Sequence, residues 1–297
     1  MANPLTSTKH FGFSAAALAE ALAYSYSHRI RSFGGNPDLA HRLGLGVTQL
    51  EALGAWMRLS GLLDRSQGVT LSPLGRSVVV NDPSLSDTAT WWCLHWELSR
   101  NYVVWAVLAV LGVGGHVIEE IDATIQRIAP QASRVTIANA RKALIRALDE
   151  TPLGRELGLV ELHSDGRRIT GLTKLAVRHG QAPMAAVAYA LLDWSEREQM
   201  PSASLESLVA PGSPGRAFHM SEGAMERYLM EIDGAFRGRV LSYSRTAGLN
   251  EAYFKRDVTP LQVLASHYLH ARDGLPWTDA LDRAQAETGA LDETDDG

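Results

Sequence analysis

The amino-acid sequence predicts a mainly α-helical protein with small β-hairpins, in which a winged helix-turn-helix is followed by a helical domain and a second winged-helix-like module. Apolar residues recur at helical spacing through most of the chain, and polar caps, Gly and Pro mark where helices begin and end. Two turn motifs, Gln67-Gly68 and Asp165-Gly166, separate strand-like segments. The composition, 45% hydrophobic and 21% charged over 297 residues, is that of a globular protein with a sizeable core.

The first 80 residues predict three helices in succession. Ser14 is a suitable N-cap for a helix that ends before Gly34-Gly35, and Pro37 suits the first turn of a second, short helix. Thr48 is expected to cap a third helix, with Glu51 as its capping-box partner, and this helix runs to about residue 60.

A small hairpin follows the third helix. We expect strands at 62–64 and 69–71 with a turn around Gln67-Gly68, and a further helix that opens at Ser72-Pro73. Three helices followed by a strand, a turn and a strand are the order of a winged helix-turn-helix, which we assign to a first domain at 1–80.

In such a domain the third helix fits the major groove of DNA and the hairpin reaches phosphates or the minor groove. Residues 1–80 carry a net charge of +3, which suits that role. The predicted DNA-contacting residues are Thr48, Gln49 and Arg58 on the third helix and Arg65 and Gln67 on the wing. Winged helices can also be protein-docking modules, and this alternative stays open.

A second helix-then-hairpin segment occupies the middle of the chain, inside a domain expected at 81–200. A helix at 133–149 is followed by a strand, the Asp165-Gly166 turn and a return strand, which predicts a second winged-helix-like module. Residues 134–178 carry a net charge of +4. The predicted DNA contacts of this module are Arg141, Lys142, Arg167 and Arg168.

The remaining chain predicts a C-terminal α/β segment at 215–272, which follows a Ser/Pro/Gly-rich linker at 201–214. Residues 273–297 carry a net charge of −7 and are expected to be a disordered acidic tail.

The sequence contains no motif of a familiar catalytic site. A phosphate-binding loop, a dinucleotide fingerprint and the metalloprotease, hydrolase and deaminase motifs are all missing. One group of acids close to a histidine could suggest a two-metal nuclease site, namely Asp82, Asp87 and Glu97 with His95. We instead interpret Asp82 as a turn residue, Asp87 as an N-cap and His95 as a core histidine. The catalytic residues are therefore unknown, and no metal site is predicted.

The single cysteine, Cys93, permits neither an internal disulfide nor a zinc cluster, which favours a cytoplasmic protein. The most apolar stretch, 102–113, is too short to span a membrane.

Several short blocks in order resemble the SspB-like family of bacterial DNA phosphorothioation (Ssp) systems, first catalogued as a domain of unknown function. The blocks are Leu45-Gly46-Val47, Leu71-Ser72-Pro73-Leu74-Gly75, Asp82-Pro83-Ser84-Leu85-Ser86-Asp87, Leu94-His95-Trp96, Pro152-Leu153 and Leu157-Gly158-Leu159.

The resemblance implies a part in replacing a non-bridging phosphate oxygen of DNA by sulfur, in a modification and anti-phage defence system. It implies double-stranded DNA as a partner, together with a cysteine desulfurase, a sulfur transferase and an ATPase. It also implies nicking of the DNA backbone. No cofactor is evident, and a divalent metal would enter only if nicking is intrinsic to this chain.

Three functions remain open from the sequence. The protein is a DNA-nicking subunit, a non-catalytic winged-helix adaptor, or a transcriptional regulator with a ligand-binding helical core. A homodimer is expected by analogy, because DNA-binding proteins of this build often pair.

Overall fold

The computed structural model describes residues 5–64, 69–166, 168–246 and 249–292. The chain forms two compact units, Met1–Ala176 and Val177–Gly297. The finer, four-part division expected from the sequence stays a prediction. Within the described ranges, no helix has both the length and the apolar character needed to cross a membrane.

The first unit is mainly helical and contains one three-stranded sheet. Its elements are α1 (Ala15–Ser27), α2 (Pro37–Leu43), α3 (Val47–Leu59), α4 (Pro73–Asn81), α5 (Thr88–Asn101), α6 (Ala106–Val110), β1 (Gly114–Val117), α7 (Ile118–Ile128), α8 (Arg134–Glu150), β2 (Val160–Asp165) and β3 (Arg168–Lys174).

Local capping explains where the first three helices begin. The hydroxyl of Ser14 accepts a hydrogen bond from Ala17 N at 3.2 Å, and Asn36 caps α2 in the same way at Leu39 N. The cap of α3 differs from the prediction of Thr48, because the helix starts two residues earlier. Gly46 is its N-cap, and Gln49 Oε1 accepts from Gly46 N at 3.0 Å.

The expected hairpin after α3 is present as isolated bridges. Leu63 pairs with Leu71, and Val69 also pairs with Ile30, which precedes α2. Asp64 N donates to Thr70 O at 2.8 Å, so the chain on both sides of 65–68 is antiparallel. The short strands expected at 62–64 and 69–71 thus pair as predicted, with an additional bridge from Ile30.

The three-stranded sheet of the first unit has the order β1-β3-β2, with both pairs antiparallel. β1 is not among the elements predicted from the sequence. Gly171 on β3 lies directly against the carbonyl oxygen of His116, where a larger residue would not fit. Residues 114–117 have little strand propensity themselves, and they form a strand because they pair with β3.

A cluster of aromatic side chains forms the core of the first unit. The ring centroid of Trp56 lies 5.2 Å from that of Tyr102 and 6.2 Å from that of Trp105, and all three side chains are buried. Trp105 Nε1 donates to Nδ1 of buried His95 at 2.9 Å. The interpretation of His95 as a core histidine is confirmed.

Asp82 and Asp87 are structural residues, as expected. The carboxylate of Asp82 is buried and accepts hydrogen bonds from Ser86 N at 2.8 Å and Thr90 Oγ1 at 2.7 Å. Asp87 caps α5 by accepting from Ala89 N at 2.7 Å. Both carboxylates are thus engaged in shaping the chain that leads into α5.

The second unit has a helical core and its own three-stranded sheet, of order β4-β6-β5. Its elements are α9 (Met184–Arg197), β4 (Ser202–Ser204), α10 (Leu205–Val209), α11 (Pro214–Ala217), α12 (Glu222–Phe236), β5 (Leu241–Thr246), β6 (Leu249–Phe254), α13 (Pro260–Asp273) and α14 (Trp277–Asp292).

The expectation of a disordered tail is wrong for 277–292, which form α14. Ala280 and Ala284 form a buried cluster with Leu269 of α13, and Leu281 is buried as well. Trp277 stacks on the ring of His270 at 4.2 Å between centroids. The acidic composition of this segment obscures a small apolar face. Such a face is enough to stabilise a helix when a neighbouring helix covers it.

Candidate nucleic-acid interface

The exposed stripe of α3 carries two of the three residues predicted on that helix. Thr48 is exposed, Arg58 is half-buried, and Glu51 and Ala55 lie between them at helical spacing. Glu51 pairs with Lys9 at 2.8 Å, and Arg58 Nη1 lies 3.5 Å from Gly54 O. The stripe therefore presents cations and an acid together and has little net charge.

Gln49, the third predicted residue on α3, is exposed but already has a structural task. Its side-chain carbonyl oxygen accepts from the backbone N–H of Gly46 at the start of the helix, which is the half of a capping box that a glycine N-cap permits. Val47 beside it is 58% exposed. If the cap is kept, Gln49 can contact DNA only through its side-chain NH2 group.

The two predicted wing residues, Arg65 and Gln67, lie outside the described residues. Asp64 and Thr70, which flank this segment and hydrogen-bond to each other, are both exposed. The assignment of Arg65 and Gln67 to a wing stays a prediction.

The predicted residues of the second module have different surroundings. Arg141 Nε donates to Asp122 Oδ1 at 2.7 Å, so this half-buried guanidinium joins α8 to α7. Lys142 is exposed on the outer side of α8. Arg168 is exposed at the start of β3, opposite Asp165 in the register, and Arg167 lies outside the described residues.

Sequence reasoning left out the residues at the start of α8. Arg134 is exposed, Val135 is 71% exposed, and Asn139 is half-exposed one turn later. Ser133 caps the helix by accepting from Thr136 N at 3.2 Å, in agreement with the helix expected at 133–149. Residues 134–146 contain four cations and no acid, and together they form the most cationic helix segment of the first unit.

A polar cleft of about 630 Å³ lies at the turn between α1 and α2. Exposed Arg29 and Arg31 line it together with His28 and the first residues of α2. The sequence prediction did not identify this cleft, since its residues come from a segment without a motif. Asp38 also lines the cleft, so two exposed cations and one acid meet there.

The described residues form no metal centre. They contain no group of three or more His, Cys, Asp or Glu side chains placed to hold a metal ion.

The comparisons with known proteins identify a family region and a fold. Residues 141–268 match a family model described as "Protein of unknown function (DUF4007)". A search of curated proteins finds no match to the chain.

Two solved structures share the fold of nearly the whole chain. One is described as "Magnesium ion-bound SspB crystal structure", with a TM-score of 0.72, 20% sequence identity and 95% coverage of both chains. The other, "SspB crystal structure", has a TM-score of 0.71 and 20% identity, and covers 97% of this chain and 95% of that one. This chain therefore has the fold of SspB and carries a DUF4007 region, as the resemblance of its sequence blocks implied.

Proposed function

We propose that the protein is the DNA-binding component of a bacterial DNA phosphorothioate modification and anti-phage defence system. The observation that carries the proposal is a repeated helix-and-strand arrangement in the first unit, which exposes cations and lies within an SspB-like fold. Each copy of this arrangement has the strand pairing expected of a winged helix-turn-helix.

The first copy is built from α1 to α4. In a winged helix the strand before the second helix pairs with the last strand, and the last strand pairs with the middle one. Val69 bridges to Ile30, which precedes α2, and Leu71 bridges to Leu63, which follows α3. This pairing supports a winged helix in which α3 is the recognition helix.

The second copy follows the same order with longer strands. β1 precedes α7, β2 and β3 follow α8, and β3 lies in the centre of the sheet. The recognition position is then occupied by α8, and the β2–β3 hairpin is the wing. The exposed Lys142 and Arg168 lie on these two elements and suit phosphate contacts.

The family resemblance adds a chemical role to DNA binding. In an Ssp system the protein would act with a cysteine desulfurase, a sulfur transferase and an ATPase, and would nick the backbone so that sulfur can enter. The fold similarity to SspB is consistent with a role in this system. The partner proteins and the nicking activity are parts of the proposal.

Magnesium is named for one of the SspB structures, but the described residues of this chain offer no cluster suited to hold it. We assign no step to a metal ion. The nicking activity therefore has to be tested directly, with the metal varied.

The first test measures DNA binding and its dependence on salt. We expect the protein to bind duplex DNA with an affinity that falls steeply as salt rises, because cations displace the counterions of the phosphates. The double variant Lys142→Ala/Arg168→Ala should bind more weakly and reduce the salt slope by about two. The matched control is Arg272→Ala, which removes an exposed cation of α13. The DNA-binding proposal fails if the wild-type protein does not bind duplex DNA.

The second test measures nicking of a supercoiled plasmid with Mg²⁺ or Mn²⁺, followed as conversion to open circles. Nicking by the purified protein supports an enzymatic subunit. Binding without nicking would instead favour the adaptor. Binding to a single preferred operator, whether or not the modification genes are present, would favour a transcriptional regulator.

A further inference from the structure

We propose that α8 is the helix that distinguishes DNA sequences, through contacts of Arg134, Val135 and Asn139 with base edges in the major groove. This inference rests on the proposed DNA-binding function and deepens it. It assigns sequence recognition to the second winged-helix arrangement rather than to the first.

The shape of α8 allows its first two turns to enter a groove. Ile137, Leu144 and Leu148 face the core and are buried, whereas Val135, Asn139 and Lys142 lie on the opposite side. Ala138 lies at the edge of this face, and its methyl group is too short to keep the helix away from the bases.

The two ends of α8 have different neighbours. Arg146, in its second half, has its Nη1 atom 3.3 Å from His10 O, and a side chain at Gly12 would come within 2.6 Å of Arg146 Cβ. The second half therefore packs against the N-terminal segment. Arg134 and Val135 at the other end of the helix are exposed, and the N-terminal residues of a recognition helix are the ones that meet base edges.

The charge of the two recognition positions also differs. The segment 134–146 of α8 has four cations and no acid, whereas α3 has Arg58 and Glu51 as its only charged residues. An acid on a face that enters the groove is repelled by the phosphates. A helix segment with cations only, such as 134–146 of α8, is attracted by the same phosphates.

The residue types at the start of α8 match the donors and acceptors of the major groove. Asn can form two hydrogen bonds with N6 and N7 of adenine, Arg can do so with O6 and N7 of guanine, and an apolar side chain can contact the methyl group of thymine. Asn139, Arg134 and Val135 provide one of each. Lys142, one turn further on, is placed to contact a phosphate.

The experiment selects bound duplexes from a randomised library with the full chain and sequences them. We expect the wild-type protein to prefer particular bases at a few adjacent positions. Asn139→Ala should lose preference at one of them, by about 5- to 150-fold in relative affinity. Asn139→Asp should change that preference from adenine to cytosine, because a carboxylate accepts from cytosine N4. Arg134→Ala should lose the preference for guanine at another position.

The control is Lys142→Ala, which should weaken binding to all sequences alike and reduce the salt slope by about one. Circular dichroism checks that each variant is folded, which the exposure of these side chains leads us to expect. The inference is overturned if the wild type has no sequence preference, or if the Asn139 and Arg134 variants keep the wild-type preference. Binding of DNA without these effects leaves the proposed function intact, whereas absence of any DNA binding removes both.

Discussion

At the scale of single residues, buried polar groups of the first unit join separate segments of the chain by hydrogen bonds. The Tyr102 hydroxyl forms a 2.8 Å hydrogen bond with Thr8 Oγ1, which ties the N-terminal segment to the aromatic core. Burial raises the pKa of Tyr102 to about 12, although the hydrogen bond to Thr8 opposes the shift. The neutral phenol is thus the form that the folded state prefers.

The raised pKa predicts a loss of stability at high pH. Because the pKa is about 10 when Tyr102 is unfolded and about 12 when it is folded, its contribution is complete below pH 10 and is lost as the pH rises to 12. Urea unfolding at a series of alkaline pH values should show this decrease. Tyr102→Phe should be less stable near neutral pH, because the bond to Thr8 is lost, and should decrease less between pH 10 and 12. Equal decreases in both proteins would contradict the assignment.

At the scale of elements, close backbone contacts decide how the hairpins meet the helices. Gly75 in α4 lies against the carbonyl oxygen of Leu62, at the base of the hairpin after α3, and a Cβ atom there would overlap it. The block Leu71 to Gly75 was recognised in the sequence, but the reason for its glycine is visible only in the packing of α4.

A methyl group at this position should separate α4 from the hairpin. We expect Gly75→Ala to lower the free energy of unfolding by about 1–3 kcal/mol, as overpacking does. Gly234→Ala in α12 is the matched control, because nothing lies within 4 Å of a Cβ atom there and alanine favours a helix by about 1 kcal/mol. Denaturant unfolding measures both, and a stabilising Gly75→Ala would be the contrary result.

At the scale of the whole molecule, charge and strand order are distributed unevenly. The chain has a net charge of −5, yet 134–178 carry +4 and 273–297 carry −7. The strand order of the first unit, with the last strand in the centre, recurs in the second unit as β4-β6-β5. In the second unit the helix before the hairpin, α12, exposes Glu222 and Glu231, so the same topology there presents acids.

The acidic segment belongs to the core of the second unit, and this can be tested. Leu281 is fully buried, so Leu281→Ala should destabilise the protein by about 2–5 kcal/mol in thermal or denaturant unfolding. Asp279→Ala, at an exposed position of the same helix, should change the stability by less than about 0.5 kcal/mol. If both variants unfold like the wild type, 277–292 do not form the helix described here.

The sequence by itself determined the features that depend on neighbouring residues along the chain. The caps at Ser14 and Asp87, the helix that starts at Pro37 and the hairpin at Asp165-Gly166 follow from local hydrogen bonds and turn geometry, and all are present. The resemblance to SspB also came from short blocks in order, and the fold agrees with it.

The tertiary structure alone decided the features that depend on a distant partner. β1 exists because β3 pairs with it, α14 exists because α13 covers its apolar face, and Arg141 is directed to Asp122 instead of outward. Propensity and charge pattern are properties of a segment, whereas burial and ion pairing belong to two segments that only the fold brings together. For the same reason, the base-contacting face proposed for α8 became visible only when its core side and its contact with the N-terminal segment were known.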